Sequence, residues 1–304
     1  MKTSTVSGGL AGYLADARAR VDAVLAHWGE QSGGLWPETV AAAMRYSLLG
    51  AGKRLRPTLM FAAYEAVGGA APAIAELAAA IEVVHAYSLV HDDLPCMDDD
   101  DVRRGRATTH RAFDVATATR AGFHMVALAA AVLAHGMEAL SLDGDRRRNI
   151  ALELFRAAGA GGMIGGQALD LAAEGRGLPV GGLEEVHRRK TGALIAAACV
   201  IGGLAAGAPG ALAEALRGYG ARVGLAFQIY DDVLDATATS AELGKTAGKD
   251  AARAKSTFVT VLGVGAARAE AERLAALAVD RLREAGLVSP VLVELAHYIV
   301  TRPN

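Results

Sequence analysis

The chain has 304 residues, 52% hydrophobic and 21% charged, with a formal net charge of −2. That length suffices for a large core in one domain or two, and the near-neutral balance, without a basic stripe interleaved with aromatics, gives no case for a nucleic-acid partner. Two cysteines, Cys96 and Cys199, make no disulfide framework and point to a reducing cytoplasm; the first ten residues lack the apolar stretch of a signal peptide, and the longest uncharged runs, 121–137 and 193–209, fall short of the roughly 20 residues a membrane span needs.

Helical periodicity dominates the chain. Residues 73–91, 150–163, 183–204 and 211–235 carry apolar residues at three- and four-residue spacing, and alternating strand patterns are nearly absent. Glycine and proline punctuate the sequence near 33–34, 68–69, 142–144, 175–182 and 208–210, with no long linker and no repeat of fixed period. The pattern predicts an all-α fold, one large helical bundle with a central cavity, forming a single domain over 1–304 whose first 35 residues are a helical extension.

Taken in chain order, the chemistry begins at Gly52-Lys53-Arg54-Leu55-Arg56-Pro57, a basic loop that alone reads as plain surface. Next comes Asp92-Asp93-Leu94-Pro95-Cys96-Met97-Asp98, running on into Asp99, Asp100 and Asp101, followed at once by Arg103-Arg104-Gly105. Asp92 and Asp98 would point apart on a regular helix, but a break at Pro95 can turn Asp98 back toward Asp92. Lys190, Lys245 and Lys255 are isolated cations in or near apolar stretches, and lysine is rarely buried without a partner. The second acidic cluster is Asp231-Asp232-Val233-Leu234-Asp235, where Asp231 and Asp235 share a helix face. Carboxylates packed this densely repel one another unless a cation neutralises them. A donor set made only of oxygen suits a hard ion such as Mg²⁺, often shared with substrate phosphates. Arg and Lys bind phosphate through charge-assisted hydrogen bonds, so two acidic and several basic groups together suggest a site for diphosphates.

The motifs Gly52–Pro57, His85–Asp93, Arg103–Gly105, Gly165-Gly166-Gln167-Ala168-Leu169-Asp170, Lys190-Thr191-Gly192, Phe227–Asp232 and Gly244-Lys245 agree in order and spacing with the trans-prenyl diphosphate synthases. From about residue 40 onward the chain resembles that family, and within it the bacterial farnesyl diphosphate synthases. The resemblance implies Mg²⁺, three ions with substrate bound, held mainly by Asp92, Asp98 and Asp231 with Asp93, Asp232 and Asp235 in support. It implies that Arg103, Lys190, Lys245 and Lys255 hold an allylic diphosphate and that Lys53, Arg56, His85 and Arg104 hold isopentenyl diphosphate. Lys190, Thr191 and Gln228 would stand near the allylic cation, with Gln167 and Asp170 lining the same cavity. A homodimer is implied as well, and the uncharged run 121–137 offers an apolar face for it.

Product length enters through Tyr87 and Ser88. Helix rise of ~1.5 Å per residue places Tyr87 roughly 7 Å along the helix from Asp92, about one isoprene unit. A ring there would stop growth near fifteen carbons, and the two extra residues around Pro95 favour the same product, farnesyl over geranylgeranyl diphosphate. The chain departs from the family at Ala121-Gly122-Phe123-His124-Met125, where Ala-Gly-Asp-Ala-Leu is usual, and has Ala107 where proline is common. Two consequences are open: Phe123 intrudes on the cavity opposite Tyr87, or the lost carboxylate leaves a neighbouring cation unpaired. A terpene cyclase would carry an Asn/Ser/Glu triad in place of the second cluster, and a non-catalytic regulatory subunit would lack one Asp motif. Both clusters are present here.

Overall fold

Helix α4 (Ile74–Asp92) shows how this alanine-rich sequence folds. It is apolar around its whole circumference, and such a helix is stable only where neighbours enclose it. Ala78, Ala79, Ala80, Ile81 and Val83 are fully buried. The computed structural model describes residues 9–31, 33–34, 36–237 and 256–302, and among these the fold is helical with a single two-stranded hairpin. Lys245 and Lys255 lie outside the described residues. The chain divides into two compact units, one comprising residues up to Phe61 together with Ala70–Arg147, the other Ala62–Gly69 together with Arg148 onward.

The first unit contains α1 (Gly9–Gln31), α2 (Glu38–Leu48), the start of α3 (Leu55–Ala66), α4, the hairpin β1 (Val102–Arg103) and β2 (Arg106–Ala107), α5 (Thr109–Ala112) and α6 (Val115–Ala139). α4 packs against α6 and α1, and α2 against α6. Asp114 caps α6 by accepting from the Thr117 amide at 2.7 Å and from its hydroxyl at 2.8 Å, satisfying backbone N–H groups that a helix start leaves open. Beneath the basic loop Arg54 is almost wholly buried. It donates to Glu82 at 2.7 Å, to Asp22 at 2.8 Å and to the Leu48 carbonyl at 2.9 Å, fastening α1 to α4.

The second unit holds most of α7 (Gly144–Ala158), then α8 (Met163–Ala172), α9 (Val180–His187), a wide π-helical turn at Arg188–Gly192, α10 (Ala193–Ala205), α11 (Gly210–Thr237), α12 (Phe258–Leu262), α13 (Val264–Glu284) and α14 (Pro290–Thr301). The long α11 packs against α10 and α13, and Tyr219 on it donates to the Leu292 carbonyl of α14 at 2.7 Å. Ser289 followed by proline starts α14, its hydroxyl accepting from the Leu292 amide.

The helices expected over 73–91 and 211–235 are α4 and most of α11. The pattern over 150–163 instead crosses a break, because α7 ends at Ala158 and α8 begins at Met163. Glycine makes the break tight: a Cβ on Gly162 would lie 2.0 Å from the Ala157 carbonyl oxygen. By length and composition α4 and α6 are each apolar enough to cross a membrane, α6 extending beyond the uncharged run 121–137 to 25 residues. Burial covers 67% of the α4 window and 44% of the α6 window, and α4 thereby reads as a core helix.

Candidate active site

In the first unit α4 ends at Asp92, and the backbone turns sharply through the Pro95 segment. The Asp98 amide donates to the Asp92 carbonyl at 2.8 Å, the Asp100 amide to the Asp93 carbonyl at 3.2 Å, and the Leu94 carbonyl accepts from both Met97 and Asp99. The motif is thus a compact loop that folds Asp98 back onto the helix end. Asp92 and Asp98 are half-buried, whereas Asp93 is 3% exposed. Arg103 Nε donates to Asp93 Oδ1 at 2.7 Å, and Arg103 also pairs with Asp100 at 3.4 Å. Burial holds the Asp93 carboxyl above its usual range, and the Arg103 guanidinium opposes that rise.

The hairpin explains why adjacent arginines serve different partners. Its two-residue loop, Arg104-Gly105, has positive φ at both positions (53° and 74°), the geometry that tight hairpins of this twist require. Arg103 in β1 reaches the acidic loop, and Arg104 donates to the Ala51 carbonyl at 2.7 Å beside the basic loop. Lys53 is exposed and Arg56 half-buried, on either side of the buried Arg54. His85 lies on α4, and burial together with Arg56, Arg104 and Arg103 keeps its imidazole well below its ordinary pKa, hence neutral. This unit therefore gathers Arg56, Arg103 and Arg104 around His85.

Tyr87 is buried, and burial followed by the Asp92 carboxylate pushes its hydroxyl up to about 12. Its ring meets that of His91 edge-on at 6.1 Å, and Ser88 donates to the His85 carbonyl at 2.9 Å. Phe123 corrects the expectation made of it. It is 65% exposed on α6, with its ring against His91 at 5.4 Å, because α6 turns that face to the outside of the unit. His124 packs on Trp36 at 5.3 Å.

In the second unit the sequence Lys190-Thr191-Gly192 forms the π-helical turn, a form that loosens the backbone ladder and clusters at functional sites. Gly166 permits the close approach behind it, since a Cβ there would sit 2.2 Å from the Lys190 amide nitrogen. Lys190 donates to Asp170 at 2.7 Å, and Thr191 donates to Gln228 at 3.0 Å. Gln167 is buried, and neither end of its amide has a hydrogen-bond partner among the described residues. Asp231, Asp232 and Asp235 lie near the end of α11. Asp232 accepts from the Phe258 amide at 2.9 Å, Asp235 is exposed, and Asp231 pairs with Arg302.

Four features lay wholly or largely beyond the sequence reading. Arg54 is a structural cation, not a surface one. Arg302 reaches Asp231 from beyond α14. His187 stacks on Phe258 at 5.6 Å, with Nε2 4.0 Å from Asp232. Potential ligand atoms of Asp99, Asp101 and His110 also lie within 4.8 Å of one another, a grouping hinted at only by the length of the Asp run.

The polyprenyl synthetase family model matches residues 37–294 of this all-α chain. The chain belongs to the polyprenyl synthetase family. This synthase is 45% identical over 267 residues to the farnesyl diphosphate synthase of Escherichia coli (strain K12), covering 86% of this chain and 89% of that one. It is 41% identical to a chloroplastic heterodimeric geranylgeranyl pyrophosphate synthase large subunit of Arabidopsis thaliana, covering 88% and 73%. The synthase also superimposes, with a TM-score of 0.81 and 29% identity over 97% of its length and 98% of the other chain, on a Helicobacter pylori geranyltransferase solved with magnesium and isoprenyl diphosphate.

Proposed function

We propose that this synthase condenses isopentenyl diphosphate with dimethylallyl or geranyl diphosphate, head to tail, to give farnesyl diphosphate. The observation that carries the product is Tyr87, a buried ring on α4 ahead of the acidic loop. The similarity to a geranylgeranyl synthase keeps a twenty-carbon product as the rival outcome. Because the family match runs through both compact units, we take residues 1–304 as one synthase domain.

In the reaction the allylic C–O bond breaks, and the diphosphate leaves with the electron pair. The isopentenyl double bond attacks the allylic carbon, and a proton is lost from the adduct to the released diphosphate. Arg103 and Lys190, with Lys245 and Lys255 outside the described residues, hold the leaving diphosphate. Lys53, Arg56, Arg104 and neutral His85 hold isopentenyl diphosphate, His85 as a hydrogen-bond donor without added charge. Thr191, Gln228 and the carbonyls loosened at the π-helical turn face the allylic cation, while Gln167 and Asp170 line the same site. Fixed groups of this kind act by stabilising charge as it develops.

Asp92, Asp98 and Asp231, supported by Asp93, Asp232 and Asp235, would hold Mg²⁺, and their oxygen-only donor set fits a hard divalent ion. Bound Mg²⁺, three ions with substrate in place, supplies Lewis-acid stabilisation of the diphosphate charge. We further infer a cytoplasmic homodimer joined through the outward face of α6, where Phe123 and Val126 are exposed.

The test is a product assay with Mg²⁺, isotope-labelled isopentenyl diphosphate and each allylic starter. A fifteen-carbon alcohol after dephosphorylation, lost with EDTA and in Asp92→Ala, is expected, and Tyr87→Ala shifts the product to twenty carbons. No condensation by folded protein would sink the reading. A twenty-carbon product from the wild type would remove Tyr87 as the stop.

A further inference from the structure

Arg302 follows α14 and is 2% exposed, although it carries a full charge. Three kinds of contact hold it. Nη2 donates to Asp231 Oδ1, and Nη1 donates to the Ile299 carbonyl. The guanidinium lies 4.2 Å from the Phe227 ring centroid and 5.4 Å from that of Tyr230, so two aromatic faces on α11 flank the charge. Its Nε is buried with no hydrogen-bond partner among the described residues, so the hold is incomplete. Such a group is a built feature, because a buried guanidinium without its carboxylate costs several kcal/mol.

The carboxylate it takes is one assigned above to the metal. Asp231 remains partly open, its side chain 33% exposed, while Asp232 is committed to the Phe258 amide. The guanidinium on Oδ1 and a divalent ion bound to this carboxylate compete for one negative charge. The ion has the higher charge density, and the guanidinium leaves one donor already unsatisfied.

We propose that Arg302 is the resting counter-ion of Asp231: it neutralises and orients this carboxylate in the metal-free enzyme and yields it when a divalent ion arrives at the second acidic cluster. Arg302 is a positioning residue that acts through Asp231. The proposal rests on the reading of Asp231 as a metal ligand.

The experiment is a Mn²⁺ titration of the purified full chain without substrate, following free Mn²⁺ by electron paramagnetic resonance, on wild type, Arg302→Gln, Arg302→Lys and Asp231→Asn. Arg302→Gln is expected to tighten one site by about tenfold, what one charge-assisted hydrogen bond is worth. Its metal-free form melts lower than wild type and recovers most of the difference with Mn²⁺. A merely structural arginine would give the opposite sign, weaker binding or none gained, and that result overturns the proposal. Should Arg302→Gln fail to fold, Arg302→Lys keeps the charge but loses the fork and the flat stack, and a few-fold tightening is expected; an unchanged or weaker isotherm overturns it. If Asp231→Asn retains the wild-type isotherm, Asp231 is not a metal ligand and the reading beneath the proposal fails too. If Asp231→Asn loses a site while both Arg302 variants match wild type, the counter-ion role alone is wrong.

Discussion

A Cβ atom on Gly122 of α6 would stand 2.0 Å from Nε2 of His91 on α4. The same Nε2 donates to the Thr119 carbonyl at 3.1 Å, so the imidazole is wedged between the two helices one residue before Asp92. Gly122→Ala therefore overpacks the contact and displaces the helix end that carries the acidic loop. A loss of about 1–3 kcal/mol is expected, read by urea unfolding, with a fall in kcat. Wild-type stability would show that the ring can move aside.

The basic loop mixes two functions that point mutants separate. Arg54 is buried against Glu82 and Asp22, and removing one partner of a buried pair costs about 3–5 kcal/mol. Arg54→Ala should lose that much in urea unfolding. Lys53 is exposed, so Lys53→Ala should stay within about 0.5 kcal/mol of wild type. Its defect should appear as a raised KM for isopentenyl diphosphate. An equal loss of stability in both variants would contradict this division.

His85 gives the folded protein an acid sensitivity. Its folded pKa is depressed by burial and by the neighbouring arginines, so below about 6.5 the unfolded chain holds a proton that the folded chain refuses. That contribution to stability is present above the unfolded pKa and declines as pH falls through it. Melting temperatures between pH 7.5 and 5 should drop more steeply for wild type than for His85→Gln. Parallel curves would show that His85 takes up its proton in the folded state.

Phe123 is 65% exposed, with Val126 exposed beside it on the outer face of α6. Leaving so large a ring in water is unfavourable, which fits burial against a second copy. Phe123→Glu should convert a dimer to monomers in light scattering after size exclusion, with the melting temperature falling as the interface is lost. A wild-type monomer at micromolar concentration would end the dimer assignment.

The long helices and the acidic loop were legible because their signals are local. Burial of α4 is written in the alanine, leucine, isoleucine and valine that dominate it, and Pro95 marks the turn beyond its end. What stayed hidden depends on partners distant in sequence. Lys53, Arg54 and Arg56 are alike on paper, and only Glu82 and Asp22 select the middle one for the interior. The 150–163 pattern hid its break because Gly162 is read as a weak helix residue until the Ala157 carbonyl beside it is seen. Phe123 was placed in a cavity by analogy with the family, whereas its direction is set by how α6 lies on α4. Arg302 lies 71 residues from Asp231, beyond the reach of any motif.

The hairpin at residues 102–107 joins two short antiparallel strands. Its pairing sets Val102 opposite Ala107 and Arg103 opposite Arg106, with the Arg104-Gly105 loop between. Strand side chains alternate in direction, so gaining or losing one residue here would turn Arg103 away from Asp93. The segment is governed by its length more than by its letters. Insertions and deletions, ordinarily harmless in surface turns, would here break the Arg103–Asp93 and Arg104–Ala51 contacts.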